Sequence, residues 1–180
     1  MRGPELLSWD NGDMSADPEF EDLVKFYYPD LYRFGLSLTG SEADACDLAQ
    51  ETFYIWANKG HQLRDPTKVK AWLFTTLHRQ FLQARRHETR FKDEPIDETS
   101  PELPAITVDC VNRIDARALL SFLGQLDETH RAPLVLYYLE DLSYNEIAET
   151  LAVPLGTVQS RIARAKIKLL QLLNETTPPK

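Results

Sequence analysis

Apolar residues in this chain recur at intervals of three and four, and strict alternation of apolar with polar positions is rare, so helices are expected throughout and strands nowhere. Phe20, Leu23, Val24, Tyr27, Leu31, Phe34 and Leu38 mark a first helix from about Pro18 to Leu38, closed by Thr39-Gly40. A second begins at Ser41, whose hydroxyl can accept from first-turn N–H groups, carries acids in that turn and ends at Gly60. Asp65-Pro66 opens a third, reaching about Glu88 with Val69, Leu73, Leu77 and Phe81 along one flank. Val111, Ile114, Ala118, Phe122 and Leu126 trace a fourth, and Asp127 is placed to cap a fifth through Leu139. Ser143 and Glu146 have the spacing of a capping box for a sixth. After the Ala152-Val153-Pro154 break, a seventh runs from Leu155 to about Leu173 with the stripe Val158, Ile162, Ala165, Leu169 and Leu172. A short helix, a tight turn and a longer basic helix form the helix-turn-helix pattern.

Between Phe91 and Asp109 the period vanishes, and the segment is acidic with three prolines, as a flexible tether would be. The expected class is therefore all-α: two small helical domains joined by a flexible acidic linker, the second holding the helix-turn-helix. The boundaries implied are an extension over 1–18, a first domain over 19–91, a linker over 92–109, a second domain over 110–174 and a tail over 175–180. A length of 180 residues suits two small domains, each near the lower limit for an independent core. No apolar run approaches the roughly 18 residues of a membrane span, so no membrane insertion is expected. The acidic first twenty residues lack a secretory pattern, which points to the cytoplasm. Cys46 and Cys110 stand far apart without CxxC or Cys/His ligand spacing and read as reduced thiols.

A net charge of −8 would argue against a phosphate partner if it were evenly spread. It is not: residues 1–22 hold seven acids and one base, residues 93–109 six acids and no base, and residues 150–174 four bases and no acid. At 100° per residue, Thr157, Arg161, Arg164 and Lys168 fall on one flank of the seventh helix with Ser160 alongside. Arg can bond guanine edges bidentately, and Ser or Thr can reach bases or phosphates, so this flank is expected to face outward into a major groove rather than merely into solvent. On the third helix Lys68, Trp72, Arg79, Gln83, Arg86 and Arg90 line up, mixing cations with an aromatic face suited to unpaired DNA. From the stripe alone, Trp72 fits a stacking platform and a core position equally. In the second helix, DLAQETF lets Leu48, Phe53 and Trp56 face inward while Asp44, Asp47, Gln50 and Glu51 face out toward a basic partner or water. The four histidines are scattered without a ligand pair and no Gly-rich phosphate loop exists, so no enzymatic activity, metal or cofactor is expected.

The order DLAQETFYIWA, then KAWLFTTLHRQFLQARR, an acidic linker, and YLEDLSYNEIAETLAVPLGTVQSRIARAKIKL resembles RNA polymerase sigma factors of the extracytoplasmic-function class over roughly residues 19–173. The resemblance implies a transcription initiation factor that binds core RNA polymerase and directs it to promoter DNA. By that likeness Asp47, Gln50 and Glu51 would dock on the polymerase. His61 and Gln62, in the loop from Lys59 to Asp65, would hold the minus-ten element together with Lys68, Trp72, Arg79, Gln83 and Arg86. Thr157, Gln159, Ser160, Arg161, Arg164 and Lys168 would read the minus-thirty-five element. The linker would thread toward the RNA exit path, the holoenzyme would sit on the nucleoid, and an anti-sigma factor would be a regulatory partner. The chain stops at Lys180, so no C-terminal sensory domain is expected.

Three departures from the family pattern stand out. His78-Arg79 and Gln83 replace the more usual Arg-Asn with an Asp four residues on; Ala152 replaces the Gly of the helix-turn-helix break; Gln159 replaces the Lys after GTV. An Ala in a left-handed turn costs about 1 kcal/mol relative to Gly. Two rival readings are a helical sigma-binding regulator or adaptor and a dimeric helix-turn-helix repressor. The first has no need of an acid-free Arg/Lys helix, and the second leaves DLAQETF unexplained.

Overall fold

The computed structural model describes residues 18–88 and 121–176. The N-terminal extension, Arg90, the acidic linker, Cys110, most of the fourth helix and the end of the tail lie outside these residues. The chain divides into two units, Met1–Arg85 and Arg86–Lys180. Among the described residues every element is helical, and no helix is long and apolar enough to cross a membrane.

In the first unit, α1 (Pro18–Thr39) packs on α2 (Glu42–Lys59), and α3 (Val69–Glu88) follows two short 3-10 turns, Gly60–Gln62 and Pro66–Lys68. The helical spacing read from the sequence is the spacing of the core: Leu23, Tyr27, Leu31, Phe34 and Leu38 of α1 are buried, as are Val69, Leu73, Leu77 and Phe81 of α3. Phe34 meets Phe74 of α3 with ring centroids 5.4 Å apart. At the crossing of α1 and α2, a Cβ added to Gly35 would lie 3.3 Å from the Ala45 backbone, so Gly35 lets the two helices approach closely. Pro29 inside α1 has no N–H for the Lys25 carbonyl; both residues are exposed, where water can satisfy that oxygen.

The helix ends obey local chemistry. Ser41 accepts from the Asp44 N–H and caps α2, and Gly40, at φ 68°, ends α1. Gly60 ends α2 for another reason than left-handed freedom: its φ is −56°, in the right-handed region. A Cβ there would lie 2.7 Å from the Trp56 indole, so Gly60 is required by the ring beneath it.

In the second unit, residues 121–124 close a fourth helix, α4, and α5 (Glu128–Tyr138), α6 (Tyr144–Leu151) and α7 (Leu155–Thr176) pack on one another. Val158, Ile162, Ala165 and Leu169 of α7 are buried. The capping box of α6 is complete: Ser143 Oγ accepts from the Glu146 N–H, and the Ser143 N–H donates to Glu146 Oε2 at 2.8 Å. Asp127 stands at the N-cap of α5, but its side chain accepts no backbone N–H; its carboxylate is drawn instead toward Lys168 at 3.6 Å and His130 at 3.7 Å.

The α6–α7 turn is a Schellman arrangement. The Val153 N–H reaches back to the Ala148 carbonyl at 3.1 Å and the Ala152 N–H to Glu149 at 3.4 Å, which forces Ala152 into the left-handed region at φ 54°, ψ 44°. The Pro154 carbonyl then accepts from the Thr157 and Val158 N–H groups in the first turn of α7. Ala152 is exposed, so it gains little from its methyl group and bears the backbone cost of an L-residue there. Replacing Ala152 with Gly should therefore stabilise the second unit by about 1 kcal/mol, read as a higher denaturation midpoint at unchanged slope. An unchanged or lowered midpoint would show that the turn carries no such strain.

Candidate nucleic-acid and polymerase interfaces

The α2 face opposite the core is a continuous polar stripe. Asp44, Asp47, Gln50 and Glu51 are all exposed, and among the described residues neither Asp47 nor Glu51 forms an ion pair. The same face carries Tyr54, 66% exposed, one turn beyond Glu51, followed by Asn58, which donates to the Tyr54 carbonyl. Tyr54 directly follows DLAQETF, and beside Phe53 and Trp56 an aromatic residue has the pattern of core; only the direction of its side chain distinguishes it.

Around the start of α3, His61, Gln62, Arg64 and Lys68 are exposed. Arg64, absent from the residues singled out above, lies on the same stretch. Asp65 holds the entry to α3 by accepting from both the Thr67 N–H and its hydroxyl, and these bonds hold the Asp65 carboxyl below its ordinary pKa. Lys68 belongs to the 3-10 turn rather than to α3 itself, while Arg79, Gln83 and Arg86 are exposed along α3. Trp72 is half-buried. Its ring meets the fully buried Trp56 edge-on, with centroids 5.0 Å apart and planes at 77°, and the side chain as a whole keeps partial exposure.

His78, at a position where this chain departs from the family pattern, is buried beside exposed Arg79. Burial alone pushes its pKa down to about 4, so the ring is neutral at physiological pH.

The flank of α7 is less open than helical arithmetic suggests. Gln159 and Lys168 are exposed, whereas Thr157, Ser160, Arg161 and Arg164 are half-covered. Ser160 Oγ donates to the Thr157 carbonyl, and the Arg164 Nε is enclosed without a hydrogen-bond partner. The first turn of α5 lies beside the cations of this flank. His130 lies near enough to Arg161, Arg164 and Lys168 for all three charges to lower its pKa, after burial as the larger cause and against the opposing pull of Asp127. The cations thus form a cluster shared by two helices, with Lys168 Nζ already 3.6 Å from the Asp127 carboxylate.

A chain whose described elements are all helices, and whose second unit carries a helix-turn-helix with a recognition helix free of acids from Leu155 to Leu173, is a DNA-binding type of protein. The comparisons narrow this to one family. Residues 23–91 match the model of sigma-70 region 2, and residues 116–169 that of sigma-70 region 4. The ECF RNA polymerase sigma factor SigM of Bacillus subtilis is 31% identical over 160 residues, covering 86% of this chain and 94% of SigM. SigE of Mycolicibacterium smegmatis is 36% identical over 169 residues, covering 90% of this chain, which spans 64% of the length of SigE. Among solved structures, the sigma factor RpoE of Bartonella quintana, in complex with the anti-sigma factor NepR, superposes with a TM-score of 0.69 at 26% identity, covering 89% of this chain and all of that one. CnrH, solved with the cytosolic domain of CnrY, gives 0.63 at 26% identity over 91% of this chain and 94% of CnrH. The chain belongs to the extracytoplasmic-function sigma factors of RNA polymerase.

The buried His78 generates a pH test. The unfolded chain binds a proton near pH 6.5 that the folded chain refuses until about pH 4. The stabilisation from a neutral His78 is complete above pH 6.5 and is lost as pH falls through that window, at up to about 1.4 kcal/mol per pH unit. Urea unfolding of the wild type and His78→Gln at pH 7, 6 and 5 should give curves whose difference narrows as pH falls. A constant difference would mean that His78 does not titrate on unfolding.

Proposed function

We propose that this chain is an alternative-sigma initiation factor whose first unit, over 19–91, docks on core RNA polymerase and holds the melted minus-ten element, and whose second, over 110–174, reads the minus-thirty-five element. The carrying observation is the presence in one sigma-family chain of an open acidic face with no internal cation partner among the described residues and of a recognition helix without a single acid from Leu155 to Leu173. Asp47, Gln50, Glu51 and Tyr54 meet a basic polymerase surface. The side of α3 bearing Trp72, Arg79, Gln83 and Arg86, with His61, Gln62, Arg64 and Lys68 before it, takes single-stranded DNA by stacking and phosphate contact. Thr157, Gln159, Ser160, Arg161, Arg164 and Lys168 act on duplex DNA. The factor positions and melts; catalysis belongs to the polymerase, and the factor works in the cytoplasm, on the nucleoid when in holoenzyme. The complex of RpoE with the anti-sigma factor NepR supports an anti-sigma partner for this chain as well.

Two experiments test the reading. Charge reversal of Asp47 and Glu51 together should weaken core polymerase binding about tenfold, since exposed ionic contacts contribute ~0.2–1 kcal/mol each. Tyr54→Ala should cost at least as much, as aromatic side chains dominate interface energetics. Full affinity in both variants, measured by fluorescence anisotropy, would remove α2 from the interface.

On duplex DNA, Arg161→Ala should cost ~1–3 kcal/mol on the preferred sequence and flatten base preference, whereas Lys168→Ala should weaken all sequences alike. Because Asp127 already draws on Lys168, the salt slope should fall by less than the roughly one unit of a free phosphate contact, and Asp127→Asn should steepen it. Equal slopes in wild type, Lys168→Ala and Asp127→Asn would place Lys168 off the DNA.

A further inference from the structure

The apolar stripe of α7 is one residue longer than its core. Leu155, Val158, Ile162, Ala165 and Leu169 follow the three-four spacing, and the last four are buried under α5 and α6, yet Leu155 is 41% exposed. Single exposed leucines are ordinary on protein surfaces. This one is unusual in its place: it is the first residue of the recognition helix, at the end that a helix-turn-helix inserts into the major groove. It is not needed for the helix entry. With the Pro154 carbonyl accepting from the Thr157 and Val158 N–H groups, the positions of a hydrophobic staple are Val153 and Val158. The backbone beside it is open as well, since a Cβ built on Gly156 would meet nothing within 4 Å. The tip of α7 is therefore an apolar side chain next to an uncovered glycine, followed by exposed Gln159 and half-exposed Thr157, on a helix whose only charges up to Leu173 are positive.

A cationic helix selects a polyanion, and the major groove of DNA displays one apolar group on its base edges, the C5-methyl of thymine. We propose that Leu155 is a specificity-determining residue, packing on the methyl group of one thymine in the duplex element that α7 enters and so favouring thymine over cytosine there. The charge of the helix selects DNA as the occupant over a protein surface. Thr157, Gln159 and Arg161 supply polar readout at neighbouring base pairs. Leu155 supplies apolar recognition of the C5-methyl, which adds to the O4-against-N4 difference between thymine and cytosine that hydrogen bonds read.

The inference rests on the promoter-reading function proposed above, and the experiment separates the two. Holoenzyme reconstituted with the full chain selects duplexes from a pool randomised upstream of the start site, and each preferred thymine is then replaced by deoxyuridine, which keeps the hydrogen-bonding edge and lacks only the methyl. At one position this replacement should weaken wild-type binding about fourfold, the worth of one buried methyl group. Leu155→Ala should lose a similar factor on the thymine duplex and nothing further on the deoxyuridine duplex, with an unchanged melting curve. Selection of no sequence by the holoenzyme would defeat the promoter-reading function itself. Selection with no preferred thymine, indifference of the wild type to deoxyuridine, or an equal deoxyuridine effect in Leu155→Ala would overturn the role of Leu155 alone. Weaker binding of Leu155→Ala to core polymerase with unchanged DNA preference would make the side chain a protein contact and overturn it equally.

Discussion

The edge-on contact of Trp72 with the buried Trp56 organises the first unit. The Trp56 indole constrains two features at once: position 60 at the end of α2, where only glycine fits over the ring, and the start of α3, where Trp72 leans on the same ring. The acidic stripe of α2 lies on the side of that helix away from buried Trp56, whereas the basic side of α3 carries Trp72 itself, so the contact ties that side to the core. Large rings favour tilted and edge-to-face packing, which gives such a junction a preferred geometry as well as buried area.

The second unit meets the same requirement with a turn instead of a ring. The helix-turn-helix needs a sharp reversal after α6, and the hydrogen bonds that make it leave one residue in left-handed space. In this chain that residue is Ala152, so the geometry is held by the capping box of α6 on one side and the buried stripe of α7 on the other, against the preference of the residue itself. Asp141, the other described non-glycine residue at positive φ, is of a type that tolerates that region.

Electrostatics works locally in both units. A net charge of −8 coexists with a cation cluster at the junction of α5 and α7, because a phosphate responds to charges within about a Debye length and not to the total. Asp127 and His130 are built into that cluster, so the strength of the positive surface depends on a carboxylate and an imidazole from α5 as much as on the cations of α7.

The sequence by itself determined the helical class of the described residues, most helix limits within a residue or two, the buried stripes of α1, α3 and α7 and the two capping serines, because each of these follows from spacing or from a side chain bonding its own backbone; α3 starts three residues after Pro66 and α7 ends three residues beyond Leu173. It also carried the family likeness, in three motifs in order. The tertiary structure alone decided what depends on a neighbour distant in sequence. It turned Asp127 from a cap into a partner of Lys168, half-covered Arg161 and Arg164, divided Trp72 between core and solvent, and assigned Gly60 to the Trp56 ring rather than to a left-handed turn. It left Tyr54 and Leu155 in water although both sit in apolar patterns. The physical reason is the same in each case: periodicity along one helix says which residues share a face, whereas burial and pairing depend on what another helix places against that face.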